Sequence, residues 1–76
     1  NKLTYKLEYE LSIIPSEIQK LETIISQMNN ILSDADLYTK NFDKFLEASK
    51  TLEMSKKKLD ELETRWLELD LQKNKL

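Results

Sequence analysis

The sequence predicts an all-α fold, namely an intramolecular antiparallel two-helix coiled-coil hairpin. Two observations support this prediction: apolar residues recur at coiled-coil spacing in each half of the chain, and a short polar segment separates the halves. The composition agrees, because the 76 residues include no glycine and one proline and are rich in Leu, Glu and Lys. A chain this short cannot bury a large globular core, so a long seam between helices has to supply most of the burial.

Apolar residues in the first half alternate spacings of four and three for more than three heptads. They are Leu7, Leu11, Ile14, Ile18, Leu21, Ile25, Met28 and Leu32. Pro15 interrupts this arm, because a proline inside a helix removes the hydrogen bond to residue 11 and clashes with that turn. The spacing nevertheless continues through Pro15. We therefore expect the first arm, at about residues 4–33, to be kinked or broken near Pro15 and then to resume.

The second half repeats the pattern and predicts a second arm at about residues 42–72. Its seam positions are Phe45, Ala48, Leu52, Ser55, Leu59, Leu62, Trp66 and Leu69. Residues 34–41, between the arms, are rich in residues that favour caps and turns, so we predict the hairpin tip there and Asn41 as the N-cap of the second helix. Residues 1–76 then form a single domain.

Folding the chain at this tip fixes an alignment of the two arms. It places Ile25 opposite Leu52, Ile18 opposite Leu59, Ile14 opposite Leu62, Ser55 opposite Leu21, and Leu7 and Leu11 opposite Trp66 and Leu69. We expect Trp66 to be a core residue, with Tyr5 and Tyr9 packed around it. The alternative is one continuous helix that dimerises with a second chain, but the polar tip favours a monomeric hairpin.

The residue types present argue against an enzyme. The chain has no Cys and no His, which excludes disulfides and the usual zinc ligand sets, and without glycine it cannot form a Gly-rich phosphate loop. A two-helix hairpin also offers no pocket for a nucleophile and its base. We therefore expect no catalytic, cofactor-binding or metal-binding residue. The carboxylates of the second arm are expected at the surface, with Glu53–Lys57 and Glu61–Arg65 as ion pairs along the helix.

The sequence also bears on where the protein lies in the cell. No apolar run approaches the roughly 20 residues needed to span a bilayer, and no signal peptide is recognisable. These observations predict no membrane partner and a cytoplasmic location.

Lysines form two clusters that could bind phosphates. The first is the run Lys56-Lys57-Lys58 with Lys50 and Arg65 beside it, and the second lies at the open end of the hairpin. The second cluster consists of Lys2, Lys6, Lys73 and Lys75. Contacts between such side chains and phosphates release counterions and so add affinity. The other interpretation is a solvated helix surface balanced by nearby carboxylates, which suits the net charge of −2.

Several short motifs resemble the C-terminal domain of Uup-type ABC-F ATPases, in order and along nearly the whole chain. The start resembles that family's Lys-Leu-Ser-Tyr-Lys followed by Leu-Pro, the tip its Asp-Pro-x-Leu-Tyr, and the end its Leu-Glu-x-x-Trp-x-Glu-Leu. The matching residues are Lys2-Leu3-Thr4-Tyr5-Lys6, Glu10-Leu11, Ile14-Pro15, Ile18, Leu21-Glu22, Asp34-Ala35-Asp36-Leu37-Tyr38 and Leu62-Glu63-Thr64-Arg65-Trp66-Leu67-Glu68-Leu69.

The resemblance implies a function for the hairpin. ABC-F proteins are cytoplasmic ATPases, many act on the ribosome, and in Uup-type members the C-terminal hairpin is associated with DNA binding. The resemblance therefore implies a non-catalytic appendage that binds DNA or ribosomal RNA, mainly through phosphate contacts. ATP and Mg²⁺ would bind only in upstream ATPase domains of the parent protein, so this chain would hold no cofactor.

A second function remains open, a protein-interaction or spacer arm that docks on the parent ATPase domains or on a ribosomal protein. It requires apolar surface that the seam leaves exposed. Residues beside the seam are candidates for that surface: Ile13, Ile24, Ile31, Leu46 and Leu67.

Overall fold

The computed structural model describes residues 5–75 and shows an all-α helical hairpin. Helix α1 spans Tyr5–Leu32, the single-turn helix α2 spans Leu37–Lys40, and α3 spans Phe42–Lys75. Helices α1 and α3 pack along each other, and α2 packs on the start of α3. The resulting rod measures 57 × 15 × 14 Å. The predicted fold class is confirmed.

The seam between α1 and α3 uses the predicted positions. Every buried residue of the two long helices belongs to the predicted apolar series: Ile14, Leu21, Ala48, Ser55 and Leu69. The other seam residues are mostly half-buried, because two helices can cover each other on one side only. Ile14 and Leu69 are the most enclosed, at 2% and 1% exposed, and they anchor the seam toward the open end.

Helix α1 is not broken at Pro15. Residues 5–32 form one continuous helix with the proline inside it. Of the two predicted forms of interruption, a kink or a break, the break does not occur. Pro15 still lacks the N–H that would bond to the carbonyl of Leu11. Ile14 and Leu21 are buried against α3 on the seam side, and this packing offsets the lost bond and the local clash.

The tip reverses the chain through side-chain caps. Asp34 Oδ1 accepts a hydrogen bond from the Asp36 amide at 2.9 Å, which closes an Asx turn before α2. Asn41 Oδ1 accepts one from the Lys44 amide at 3.2 Å, so the predicted N-cap of α3 is confirmed. Leu37 is buried beneath this turn.

Three aromatic rings brace the tip from outside. Tyr38 lies edge-on against Phe42 and Phe45, with ring centroids 4.9 and 5.1 Å apart. Such edge-to-face contacts contribute about 0.5–1.5 kcal/mol beyond the apolar area that they bury. The aromatic cluster therefore links α2 to the first turns of α3.

Candidate nucleic-acid interface

Four lysines of α3 form what we call the central lysine cluster: Lys50, Lys56, Lys57 and Lys58. All four are exposed, and none of them lies within 4 Å of a carboxylate, although such contacts occur elsewhere between residues 5 and 75. The ion pair expected between Glu53 and Lys57 is absent. The two residues instead line one shallow surface groove together with Lys50 and Met54.

The positions of the four lysines around α3 determine how the cluster can contact a ligand. Lys50 and Lys57 are one heptad apart on the side of α3 that faces away from α1, whereas Lys56 and Lys58 point toward opposite flanks. At about 1.5 Å per residue, the cluster extends about 12 Å along the helix axis. This length suits a few neighbouring phosphates of one strand and leaves the ammonium groups free to contact them.

Arg65 occupies a different environment from the lysines. Its Nε and Nη2 donate to Oε2 and Oε1 of Glu10 at 2.6 and 3.1 Å, so the guanidinium bridges the two long helices. The prediction of an ion pair between Glu61 and Arg65 is therefore wrong. The favourable geometry across the seam explains this outcome, because a bidentate contact holds both partners more firmly than a flexible pair along one helix.

The Glu10–Arg65 ion pair shifts the pKa of both groups. The hydrogen bond from Arg65 lowers the pKa of the Glu10 carboxyl below its usual 4.5, and the nearby charges of Arg65 and Lys6 act in the same direction. The same hydrogen bond raises the pKa of Arg65. Glu10 and Arg65 directly precede Leu11 and Trp66, which agrees with the predicted alignment at this end of the seam. With its guanidinium engaged by Glu10, Arg65 is a weaker candidate for phosphate binding than the central lysine cluster.

The structure describes the side chains of two of the four open-end lysines, Lys6 and Lys73. Lys6 is exposed and its charge acts on Glu10, whereas Lys73 lines a small groove with Glu8, Leu11 and Ser12. Each has a carboxylate nearby, which reduces its attraction for an anion. Lys2 and the side chain of Lys75 lie outside the part of the chain that is described.

The sequence prediction misjudged the aromatic residues of the open end. Trp66 remains 37% exposed and forms part of the wall of a surface groove, although it stands at a seam position. Tyr5 and Tyr9 are also exposed, and neither ring contacts Trp66.

An apolar groove beside the seam was therefore missed by the sequence analysis. The sequence does contain a signal for this groove, namely Pro15 in α1 opposite Trp66 and Leu67, two large apolar residues of α3. Its lining residues are Pro15, Ile18, Glu63, Trp66 and Leu67.

Residues 5–75 contain no group of three or more His, Cys, Asp or Glu side chains that could hold a metal ion. No helix in this range is both long and apolar enough to cross a bilayer.

The geometry defines a class of protein, an all-α hairpin arm whose exposed charges and apolar groove are available for binding. Comparison with known families narrows this class. The family described as the ABC transporter C-terminal domain matches residues 2–70, and the chain belongs to that family. This membership makes it an appendage of an ABC ATPase. Searches of curated proteins and of solved structures returned no match.

Proposed function

We propose that this chain is the nucleic-acid-binding arm of an ABC-F ATPase. The arm binds DNA or ribosomal RNA through phosphate contacts and performs no catalysis itself. The supporting observation is the central lysine cluster, four exposed ammonium groups with no carboxylate of residues 5–75 within ion-pair distance. Their charge is unneutralised within the hairpin, so counterion release on phosphate binding would contribute to affinity.

The proposal includes the setting of the arm. The parent protein is cytoplasmic, ATP and Mg²⁺ bind in its ATPase domains, and the hairpin carries the nucleic-acid contact. Lysine ammonium groups contact phosphates without reading bases, so the arm recognises the phosphate backbone and discriminates little between sequences.

Fluorescence anisotropy tests the proposal directly. Labelled duplex DNA and a labelled structured RNA are each titrated with the chain at low and at moderate salt. We expect micromolar binding that weakens steeply with salt, because four phosphate contacts give a logarithmic slope of about −3 to −4. The triple variant Lys56→Glu, Lys57→Glu, Lys58→Glu should weaken binding at least tenfold.

A matched variant separates local contacts from overall charge. Lys20→Glu, Lys40→Glu, Lys44→Glu changes the net charge by the same amount at lysines outside the cluster, and it should retain most of the affinity. Equal losses in both variants, or no binding of either nucleic acid at low salt by the folded chain, would refute the proposed function.

A second candidate function is a protein-interaction arm that docks on the parent ATPase domains or on a ribosomal protein. Exposed apolar residues favour it, since Leu46, Leu67 and Leu71 are at least 40% exposed on α3. Of the other candidates beside the seam, Ile13 is also exposed, whereas Ile24 and Ile31 are half-buried.

A further inference from the structure

We propose that the groove beside Pro15 and Trp66 docks a basic amphipathic helix of a partner protein. The proposal rests on the second candidate function and gives it a defined surface and a partner of defined chemistry. It does not depend on nucleic-acid binding, because the central lysine cluster is not part of the groove.

The walls of the groove are mainly apolar. It has a volume of about 520 Å³ and lies between Pro15 and Ile18 of α1 and Trp66 and Leu67 of α3. Leu67 is 53% exposed, and Leu71, one turn further on, is equally exposed and extends the same apolar surface. Packing against these side chains would bury them and the indole face, at about 25 cal/mol for each Å² of apolar surface removed from water.

The polar side chain in the lining of the groove is a carboxylate. Glu63 lies there and has no cation of residues 5–75 within 4 Å. A cationic side chain with an aliphatic stem suits this groove, since its stem packs on Trp66 while its charge meets the carboxylate.

More carboxylates flank the groove along both helices. Glu8 and Glu22 lie one heptad before and after Pro15 on α1, and Asp60 and Asp70 share a flank of α3 with Glu63 at spacings of three and seven. None of these four is in an ion pair in the described structure. Lys73 lies beside Glu8 in the adjoining groove.

This arrangement of charge selects the partner. Glu63 in the groove and the four carboxylates along its flanks repel phosphates and attract Lys and Arg. Lys56 shares the flank of α3 but lies one heptad before Glu63, beyond Asp60 and outside the lining of the groove. A helix that presents apolar residues at spacings of three and four, with basic residues beside them, matches the groove in shape and charge.

Trp66 provides a built-in reporter, since it is the one tryptophan of the chain. The probe is a synthetic 18-residue amphipathic peptide of leucine and lysine with no aromatic residue, and its controls are a scrambled peptide and an analogue with glutamate in place of lysine. With the full chain, the leucine–lysine peptide should shift Trp66 emission to shorter wavelength in a saturable way, and both control peptides should leave it unchanged.

Two neighbouring glutamates give a matched pair of variants. Glu63→Lys reverses a charge inside the groove, whereas Glu61→Lys makes the same change on another side of α3. We expect Glu63→Lys to raise the Kd for the peptide at least fivefold and Glu61→Lys to change it less than twofold. Leu67→Ser against Met54→Ser repeats the comparison without changing charge, and circular dichroism confirms that each variant is folded.

Several outcomes would overturn the proposal: no emission shift at high peptide concentration, equal binding of the acidic analogue, or equal effects of the two glutamate variants. Dimers of the chain alone that Leu67→Ser dissociates would assign the groove to a second copy instead. None of these results bears on the anisotropy experiment with nucleic acids, so failure of one proposal is distinguishable from failure of the other.

Discussion

Glu10 and Arg65, which are 55 positions apart in the chain, show how a single pair of side chains can join two helices. The pair is bidentate and lies beside the seam, where Ile14 and Leu69 supply apolar packing. Charge-assisted hydrogen bonds with this geometry fix orientation as well as distance. The pair therefore helps to set the alignment of α1 and α3 near the open end.

The effect of this pair on stability should depend on pH. The pKa of Glu10 is lowered in the folded chain, so the stabilisation is present above the pKa of the unfolded state and is lost as pH falls through the folded value, below 4.5. Glu10→Gln should lower the melting temperature at pH 7, and the difference from the unsubstituted chain should shrink toward pH 3. Thermal unfolding of the two proteins, followed by circular dichroism from pH 7 to pH 3, measures the melting temperatures and how their difference changes with pH.

Charge reversal provides the control for this prediction. Glu10→Arg and Arg65→Glu should each destabilise the hairpin at pH 7, and the double variant should recover part of the loss because it restores an opposite-charge pair. A double variant that is no more stable than the two singles predict would show that the pair does not act across the seam.

Arg65 also shows what sequence patterns could not reveal at the residue scale. From the sequence, Glu61 was the expected partner because it lies one turn before Arg65 on the same helix. The actual partner depends on the rotation and alignment of two helices, which local spacing does not determine. The exposure of Trp66 escaped prediction for a related reason, since an a/d position specifies a direction but not how much space the facing helix leaves.

At the scale of elements, the tip depends on a few caps. Asn41 is in contact with two helices: its backbone N–H donates to the carbonyl of Leu37, the first residue of α2, and its side chain caps α3. The short α2 cannot be stable alone, because four residues form a single turn. Its presence therefore reflects the caps, the buried Leu37 and the aromatic contacts with α3.

Asn41→Ala should lower the free energy of unfolding by about 1 kcal/mol, because the Lys44 amide loses its acceptor. Asn41→Asp should keep most of the stability, since aspartate is an equally good N-cap. Urea denaturation of the three proteins measures the difference. Identical losses for alanine and aspartate would show that the loss does not come from the capping hydrogen bond.

The sequence predicted the elements well because their signals are local. Apolar spacing located both arms, and polar residues with Asn41 marked the reversal between them. Proline was harder to interpret, since its local cost favours a helix end whereas burial of the residues around it favours continuity. The packing of Ile14 against α3 decides between a helix end and a continuous helix. A local sequence pattern does not show how tightly that side chain packs.

The molecule is a rod with a single seam between its two long helices, and its stability depends on few buried residues. Helices of this kind take most of their stability from the packed face. Because each seam residue has an open flank, losing one of the best-buried side chains removes a large share of the total. The same openness leaves apolar and charged surface available along the whole length.

Ile14→Ala should lower the free energy of unfolding by about 2–4 kcal/mol, as is typical of truncating a buried isoleucine. Ile13→Ala is a matched control, because the neighbouring side chain is 36% exposed and its loss should cost well under half as much. Urea unfolding at low temperature, where the weaker variant is still folded, gives both values. Similar losses at the two positions would place the seam on a different face of α1.

The chain turns back on itself without glycine, and no residue between 5 and 75 has a positive φ. A consequence concerns how the tip can change in evolution or in a mutational scan. Every backbone conformation in this reversal is open to ordinary L-residues, so substitutions other than proline meet no steric penalty from the main chain. Selection on the tip should act through side chains alone: Asp34, Leu37 and Asn41 should be restricted, while their exposed neighbours should accept a wide range of residues.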